Sequence, residues 1–153
     1  MDKNSIFTRI LPPTYLLIVL IIMLATHFII PVTTIFPVPW NLASLLPLIF
    51  GVVINILADR QFHQRHTTVK PFQESSALIT EGVYQFSRHP MYLGMALVLI
   101  GVAMLLGSVI SFCVIPVFVL MINGIFIKTE EQMMEGQFGE TWQDYAKEVR
   151  RWM

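Results

Sequence analysis

The sequence predicts an all-α, multi-pass transmembrane bundle of about four helices with short cytosolic C-terminal helices. Three observations carry that expectation. Hydrophobic residues make up 55% of the 153 and charged residues only 13%, against roughly a quarter charged in a typical soluble domain. No Asp, Glu, Lys or Arg occurs in residues 10–58 or 89–127, and each interval holds two helices of the ~20 apolar residues a membrane crossing needs. The ten Lys and Arg all fall in the N-terminus, a middle loop and the tail. With four spans these segments share one side, which the positive-inside rule makes the cytosol.

The spans are expected near residues 14–30, 41–58, 91–106 and 108–127. Pro12 and Pro13 sit at the start of the first, and Pro31 follows its end, as proline chemistry prefers. Residues 31–40 carry three prolines and read as a short outer loop, with Trp40 at the interface. A cleaved signal peptide is not expected, because the run is long and lacks a small-residue cleavage site. Gly107 and Ser108 mark a tight turn between the last two spans. Pro47 and Pro116 fall inside helices, where kinks are expected. The whole chain, 1–153, reads as a single integral-membrane domain with both termini cytosolic.

Composition excludes other classes. Ten basic residues balance ten acidic ones, so nothing points to nucleic acid. The single cysteine, Cys113, rules out an intramolecular disulfide framework and a Cys-rich zinc site, and reads as a small apolar residue. His63 and His66 lack a third ligand nearby, so no metal is expected. The eight glycines never form a Gly-x-Gly-x-x-Gly, and strand–helix alternation is missing, so a soluble dinucleotide-type fold is excluded.

The polar chemistry lies in residues 59–90 and 128–153. In the tail, Thr129-Glu130-Glu131-Gln132 fits a capping box opening a short helix. Gly139 interrupts it, and a second helix is expected from about Glu140 to Trp152. Trp142, Tyr145, Val149 and Trp152 would form its apolar stripe, suiting it to rest on the membrane or the bundle. Lys147, Arg150 and Arg151 crowd its end and read as dipole partners and anchors to anionic lipid, with substrate or cofactor contact the alternative. In the middle segment, Pro90 fits the first position of helix three, which puts His89 at the helix mouth. The free N–H groups there suit a carboxylate or phosphate. Gly94 and Gly101 share a face and predict close helix packing. Asn55, Asn123 and His27 are polar groups within spans, and such residues tend to face the bundle interior.

Two stretches, in order around a hydrophobic hairpin, carry a resemblance. The first is Leu78-Ile79-Thr80-Glu81-Gly82-Val83-Tyr84 followed by Ser87-Arg88-His89-Pro90-Met91-Tyr92-Leu93-Gly94. The second is Glu130-Glu131, then Phe138-Gly139-Glu140-Thr141-Trp142-Gln143-Asp144-Tyr145, then Val149-Arg150-Arg151-Trp152. Together they resemble the isoprenylcysteine carboxyl methyltransferase family, related to the phospholipid N-methyltransferases, over roughly residues 76–152. The resemblance implies a multi-pass membrane enzyme using S-adenosylmethionine as co-substrate. It implies donor binding by Leu78, Ile79, Tyr84, His89, Pro90, Tyr92 and Glu130, with Glu131 the adjacent acid. It also implies a lipidic or prenylated acceptor and carboxyl O-methylation at the cytosolic face. Phospholipid amine N-methylation and a non-catalytic membrane scaffold are the alternatives. This chain has Ser76 and Phe126 where the eukaryotic enzymes carry a His and a substrate-contacting Arg. No catalytic base stands out.

Overall fold

The structure, a computed structural model, describes residues 11–29, 39–64 and 77–153. The basic residues Lys3, Arg9, Arg65 and Lys70, most of the proline-rich loop, and His66, Pro71 and Ser76 lie outside these. The elements are α1 (Pro12–Ile29), a 3-10 turn (Trp40–Ser44) running into α2 (Leu45–Gln64), and a second 3-10 turn (Gly82–Gln85). Then come α3 (Pro90–Leu106), α4 (Val109–Ile122), a π turn (Asn123–Ile127), α5 (Lys128–Phe138) and α6 (Glu140–Glu148).

Among the described residues three helical stretches are long and apolar enough to cross a membrane: Pro12–Ile29, Trp40–Gln64 and Val109–Phe138. The fourth, α3, has 17 residues, the short end of the ~17–25 that a span requires. The outward faces of α1, α2 and α4 expose Leu17, Ile21, Phe50, Val53, Val117 and Leu120, the surface a bilayer would cover.

The core follows helical spacing. Tyr15, Val19 and Met23 of α1 meet Tyr92, Met95, Leu99 and Ala103 of α3 and Ile115, Phe118 and Ile122 of α4, with Phe126 and Ile127 below. Steps of three and four put each set on one face. The tightest contact joins α2 to α3. A methyl group on Gly94 would lie 2.7 Å from the Gly51 carbonyl oxygen and 2.2 Å from Asn55 Nδ2, and one on Gly101 would lie 2.4 Å from Leu48 Cγ. Close packing at both glycines thus matches their spacing. The Asn55 side chain donates to Gly51 O at 2.8 Å, which satisfies its amide inside the apolar contact.

Gly107 turns the chain at a φ of 62° between α3 and α4, a left-handed conformation that glycine adopts without penalty. Because α3 and α4 are antiparallel, the Pro90 end of α3, the Phe126 end of α4 and the Tyr15 end of α1 gather at one end of the bundle. The Trp40 end of the second span lies at the other, with Trp40 exposed. Pro47 is the third residue of α2, just after the 3-10 turn gives way to the α-helix.

Two local expectations are corrected. The capping box does not open a new helix. The π turn carries the chain from α4 into α5 without a break, and Thr129 Oγ1 donates back to Ile125 O at 3.3 Å. With the ladder continuous, no orphan N–H groups remain for a cap to satisfy. The second tail helix also stops early, at Glu148, and Val149 is extended. Its next two carbonyls are taken from outside: Arg88 N–H donates to Arg150 O at 3.0 Å, and Ser87 Oγ donates to Arg151 O at 3.1 Å. Trp142 and Tyr145 are buried, as the stripe requires, while Val149 and Trp152 belong to this extended strap.

Candidate active site

The bundle end that carries Pro90 gathers the polar residues. Pro90 is the first residue of α3 and His89 its N-cap; proline suits this position because the N–H it lacks would be unsatisfied there. One turn in, Tyr92 shares a stacked contact with the His89 ring, centroids 5.8 Å apart. From the other side the π turn presents two adjacent acids. Glu130 accepts from Tyr92 Oη at 2.6 Å and lies 3.5 Å from His89 Nδ1. Glu131 lies 3.3 Å from His89 Nε2. The imidazole is therefore held between two carboxylates, one on each ring nitrogen, and is itself buried.

Burial lowers the proton affinity of that ring, but hydrogen bonds to Glu130 and Glu131, and their charges, outweigh it and raise the pKa above the ordinary histidine value. The two acids thus favour the protonated ring. Glu131 has two further partners. Arg88 Nη2 lies 3.3 Å from its Oε1. Arg151 grips it side-on, Nε to Oε1 at 3.0 Å and Nη2 to Oε2, a bidentate fork of the strong, charge-assisted kind. The third Arg151 nitrogen, Nη1, donates to Asn123 Oδ1 at 3.3 Å in the π turn. The hydrogen bond to Glu131 raises the Arg151 pKa against an opposing effect of burial.

Around this centre the loop and tail lock together. Ser87 Oγ accepts from His89 N–H at 3.2 Å while donating to Arg151 O. Tyr145 Oη donates to Tyr84 O at 2.6 Å, and burial pushes the Tyr145 pKa up to about 12. Arg88 lies over the Trp142 ring, 5.7 Å from its centroid. A groove of about 530 Å³ lies beside the cluster, lined by Arg88, Lys128, Glu131, Trp142, Lys147 and Arg151 among others.

Of the eight residues singled out in the sequence, His89, Pro90, Tyr92, Glu130 and Glu131 come together here. Tyr84 adjoins them: burial raises its pKa, followed by the charges of Tyr145, Glu130 and Asp59. Ile79 packs with Tyr84 and Ala58 in a small apolar cluster with Phe62, where the Phe62 and Tyr84 rings meet edge-on at 5.8 Å. Leu78 is half-buried beside Ile79. Phe126 is fully buried, in ring contact with Tyr15 and Tyr92. His63 bonds within its own turn, to Asp59 O at 3.0 Å.

The sequence reading names Ser87 and Arg88 in the first motif stretch, Arg151 at the end of the tail helix and Asn123 as a polar group within a span, but places none of them among the donor-binding residues. One signal was available. Two adjacent carboxylates at the end of an apolar helix need matching cations, since unpaired charge is costly to bury.

A family model described as phospholipid methyltransferase matches residues 40–141, which include every element from α2 to the start of α6. The chain belongs to the phospholipid methyltransferase family. Among curated relatives of this family member, the protein-S-isoprenylcysteine O-methyltransferase of Schizosaccharomyces pombe is 30% identical over 84 residues, 55% of this chain and 36% of that protein. Protein-S-isoprenylcysteine O-methyltransferase A of Arabidopsis thaliana is 30% identical over 110 residues, 69% of this chain and 55% of that protein. An uncharacterized protein of Haemophilus influenzae is 35% identical over 63 residues, 41% of this chain and its own full length. The matches thus span no more than 55% of these two methyltransferases. They bear out the resemblance read from the two motif stretches, and with the apolar helices they mark this family member as an integral membrane protein.

Proposed function

We propose that the chain is an S-adenosylmethionine-dependent methyltransferase, one integral-membrane domain that methylates a lipidic or prenylated acceptor at the cytosolic membrane face by carboxyl O-methylation. The observation that carries this reading is the cluster at the mouth of α3. Arg88, Arg151 and the His89 imidazole meet two carboxylates, Glu130 and Glu131, at the start of α3. Carboxylates for an ammonium or hydroxyls, beside the free N–H groups of a helix start for a carboxylate, suit an amino-acid-like donor.

The residues present fit that donor. Both Glu130 oxygens keep a lone pair for an ammonium or ribose hydroxyls beyond their contacts to Tyr92 and His89. The first N–H groups of α3, with His89 at the helix mouth, suit the donor carboxylate. Leu78, Ile79 and Tyr84 offer the apolar side, Pro90 fixes the start of the helix, and Tyr92 orients Glu130. When bound, S-adenosylmethionine supplies a methyl group already activated on a sulfonium. What remains for the protein is to align two reactants and exclude water.

Carboxyl methylation suits the site because a carboxylate acceptor has no proton to lose and needs no general base, whereas an ammonium acceptor must first give up a proton; both His89 ring nitrogens already face carboxylates. The names of the S. pombe and A. thaliana relatives support the same chemistry. One observation favours a second reading, N-methylation of a phospholipid amine. Phe126 stands where the eukaryotic enzymes carry a substrate-contacting Arg, and it is sealed in its aromatic contacts with no charge for an acceptor carboxylate. Incubating the purified protein with methyl-labelled donor and membrane extract tests both. Label released by mild base marks a methyl ester and is the expected result. Base-stable label in lipid establishes the amine reading instead. No transfer and no donor binding would leave only the scaffold.

A further inference from the structure

Arg151 and Arg150 are neighbours in sequence, but the fold uses them differently. The Arg150 side chain is exposed. Arg151 turns inward and reaches His89 by two routes. Through its guanidinium it holds both oxygens of Glu131, whose Oε1 faces His89 Nε2. Through its carbonyl it holds the Ser87 hydroxyl, which accepts the His89 backbone N–H. The ring and the backbone of the same N-cap residue are thereby fixed from one residue of the tail. The third donor, Nη1 on Asn123, ties that residue to the π turn that presents Glu130 and Glu131. An arginine is the side chain for this task, because its rigid planar fork addresses one carboxylate with two nitrogens and leaves a third free.

From this we infer that Arg151 is a positioning residue of the donor site, acting through Glu131 and Ser87 to set His89 and, with it, the spacing of the two acids. The inference rests on the donor-binding reading above. A surface anchor to anionic lipid would leave Arg150 and Arg151 equivalent. The geometry makes them different.

Titration calorimetry with S-adenosylmethionine, on the full chain in lipid nanodiscs, tests it. Arg151→Ala should weaken binding by roughly tenfold or more, the scale of a lost charge-assisted bond, and Arg150→Ala should not. Arg151→Lys keeps the charge but only a point donor, so it should recover part of the loss. In a Glu131→Gln background, adding Arg151→Ala should cost little more, because the two act as one unit. A merely structural role would carry its full cost into that background. Arg151→Ala equal to Arg150→Ala, or additive with Glu131→Gln, overturns the inference. If Arg151→Ala does not fold, Arg151→Lys alone and in the Glu131→Gln background gives the same comparison. Wild-type protein that binds no donor refutes the donor-binding reading itself, an outcome distinct from wild-type binding that Arg151 does not affect.

Discussion

Glu130→Gln should weaken donor binding by about 10- to 150-fold, and the structure says why the loss is confined to charge. The carboxylate Oε1 accepts from Tyr92 Oη at 2.6 Å, and a glutamine carbonyl oxygen keeps that bond without its charge assistance. Oε2 faces His89 Nδ1 at 3.5 Å, where a carbonyl or amide is the same size. Shape is therefore conserved and the negative charge is removed. A hydrogen bond to a charged group is worth ~1.5–3 kcal/mol, which converts to the stated range at about 1.4 kcal/mol per tenfold. Glu140→Gln is the control, since Glu140 is exposed in the first turn of α6. Calorimetric titration of purified protein with S-adenosylmethionine and with its demethylated product checks the assignment. Both ligands carry the ammonium and the ribose, so both should lose affinity similarly. Equal donor affinity in the Glu130 and Glu140 variants would refute the reasoning. A loss for the methylated donor alone would move Glu130 to the sulfonium.

Three other outcomes follow. His89→Ala should weaken both ligands alike. The stability that His89 contributes should also depend on pH: its folded pKa is raised, so the contribution is full below about 6.5 and is lost as pH rises through the folded value, which thermal unfolding of wild type against His89→Ala from pH 6 to 9 would reveal. Gly94→Ala forces a methyl into the Asn55 amide and the Gly51 carbonyl and should destabilise by ~1–3 kcal/mol, lowering the melting temperature more than Gly136→Ala, where the space is open. Cysteines at Leu42 and Glu140, in a Cys113→Ser background, should label from opposite faces of sealed vesicles, with Glu140 cytosolic; labelling from one face only would remove the four-span arrangement.

The helices were legible because a bilayer imposes a simple rule, and two long charge-free intervals satisfy it. Helix-breaking residues then fixed their ends: Pro90 opens α3, and Gly107 closes it in the left-handed region. Gly94 and Gly101 were legible as packing positions because their spacing of seven is helical. The tail was less so. Thr129-Glu130-Glu131-Gln132 has the composition of a cap, yet a cap needs a helix break, and the π turn at Asn123–Ile127 removes it. Periodicity ran the last helix to Trp152 because Val149 and Trp152 keep the step. The backbone leaves the helix at Val149 because Ser87 and Arg88, more than sixty residues earlier in the chain, compete for its carbonyls. The pairing of Arg151 is hidden for the same reason: sequence alone makes it a dipole partner or lipid anchor beside Arg150, because its partner Glu131 is twenty residues away and the path between depends on the turn at Gly139.

The π turn and the strap are two halves of one solution. In a continuous α-helix adjacent residues differ by about 100°, so Glu130 and Glu131 could not both flank a single imidazole unless that ring reached between them. The ring does so because His89 is the N-cap of α3, outside the helical backbone at φ −127° and ψ 60°, and its two nitrogens face the two acids at the start of α5. Two carboxylates so close would repel, and each would lose stability from burial. His89 and the two arginines offset this, and the second arginine arrives only because the tail folds back across the helix mouth. The contacts that hold the C-terminal strap in place are thus the same ones that pair the buried charge of Glu131. A variant that releases the strap should loosen the fold and the site together, and Arg151 is where the two dependences meet.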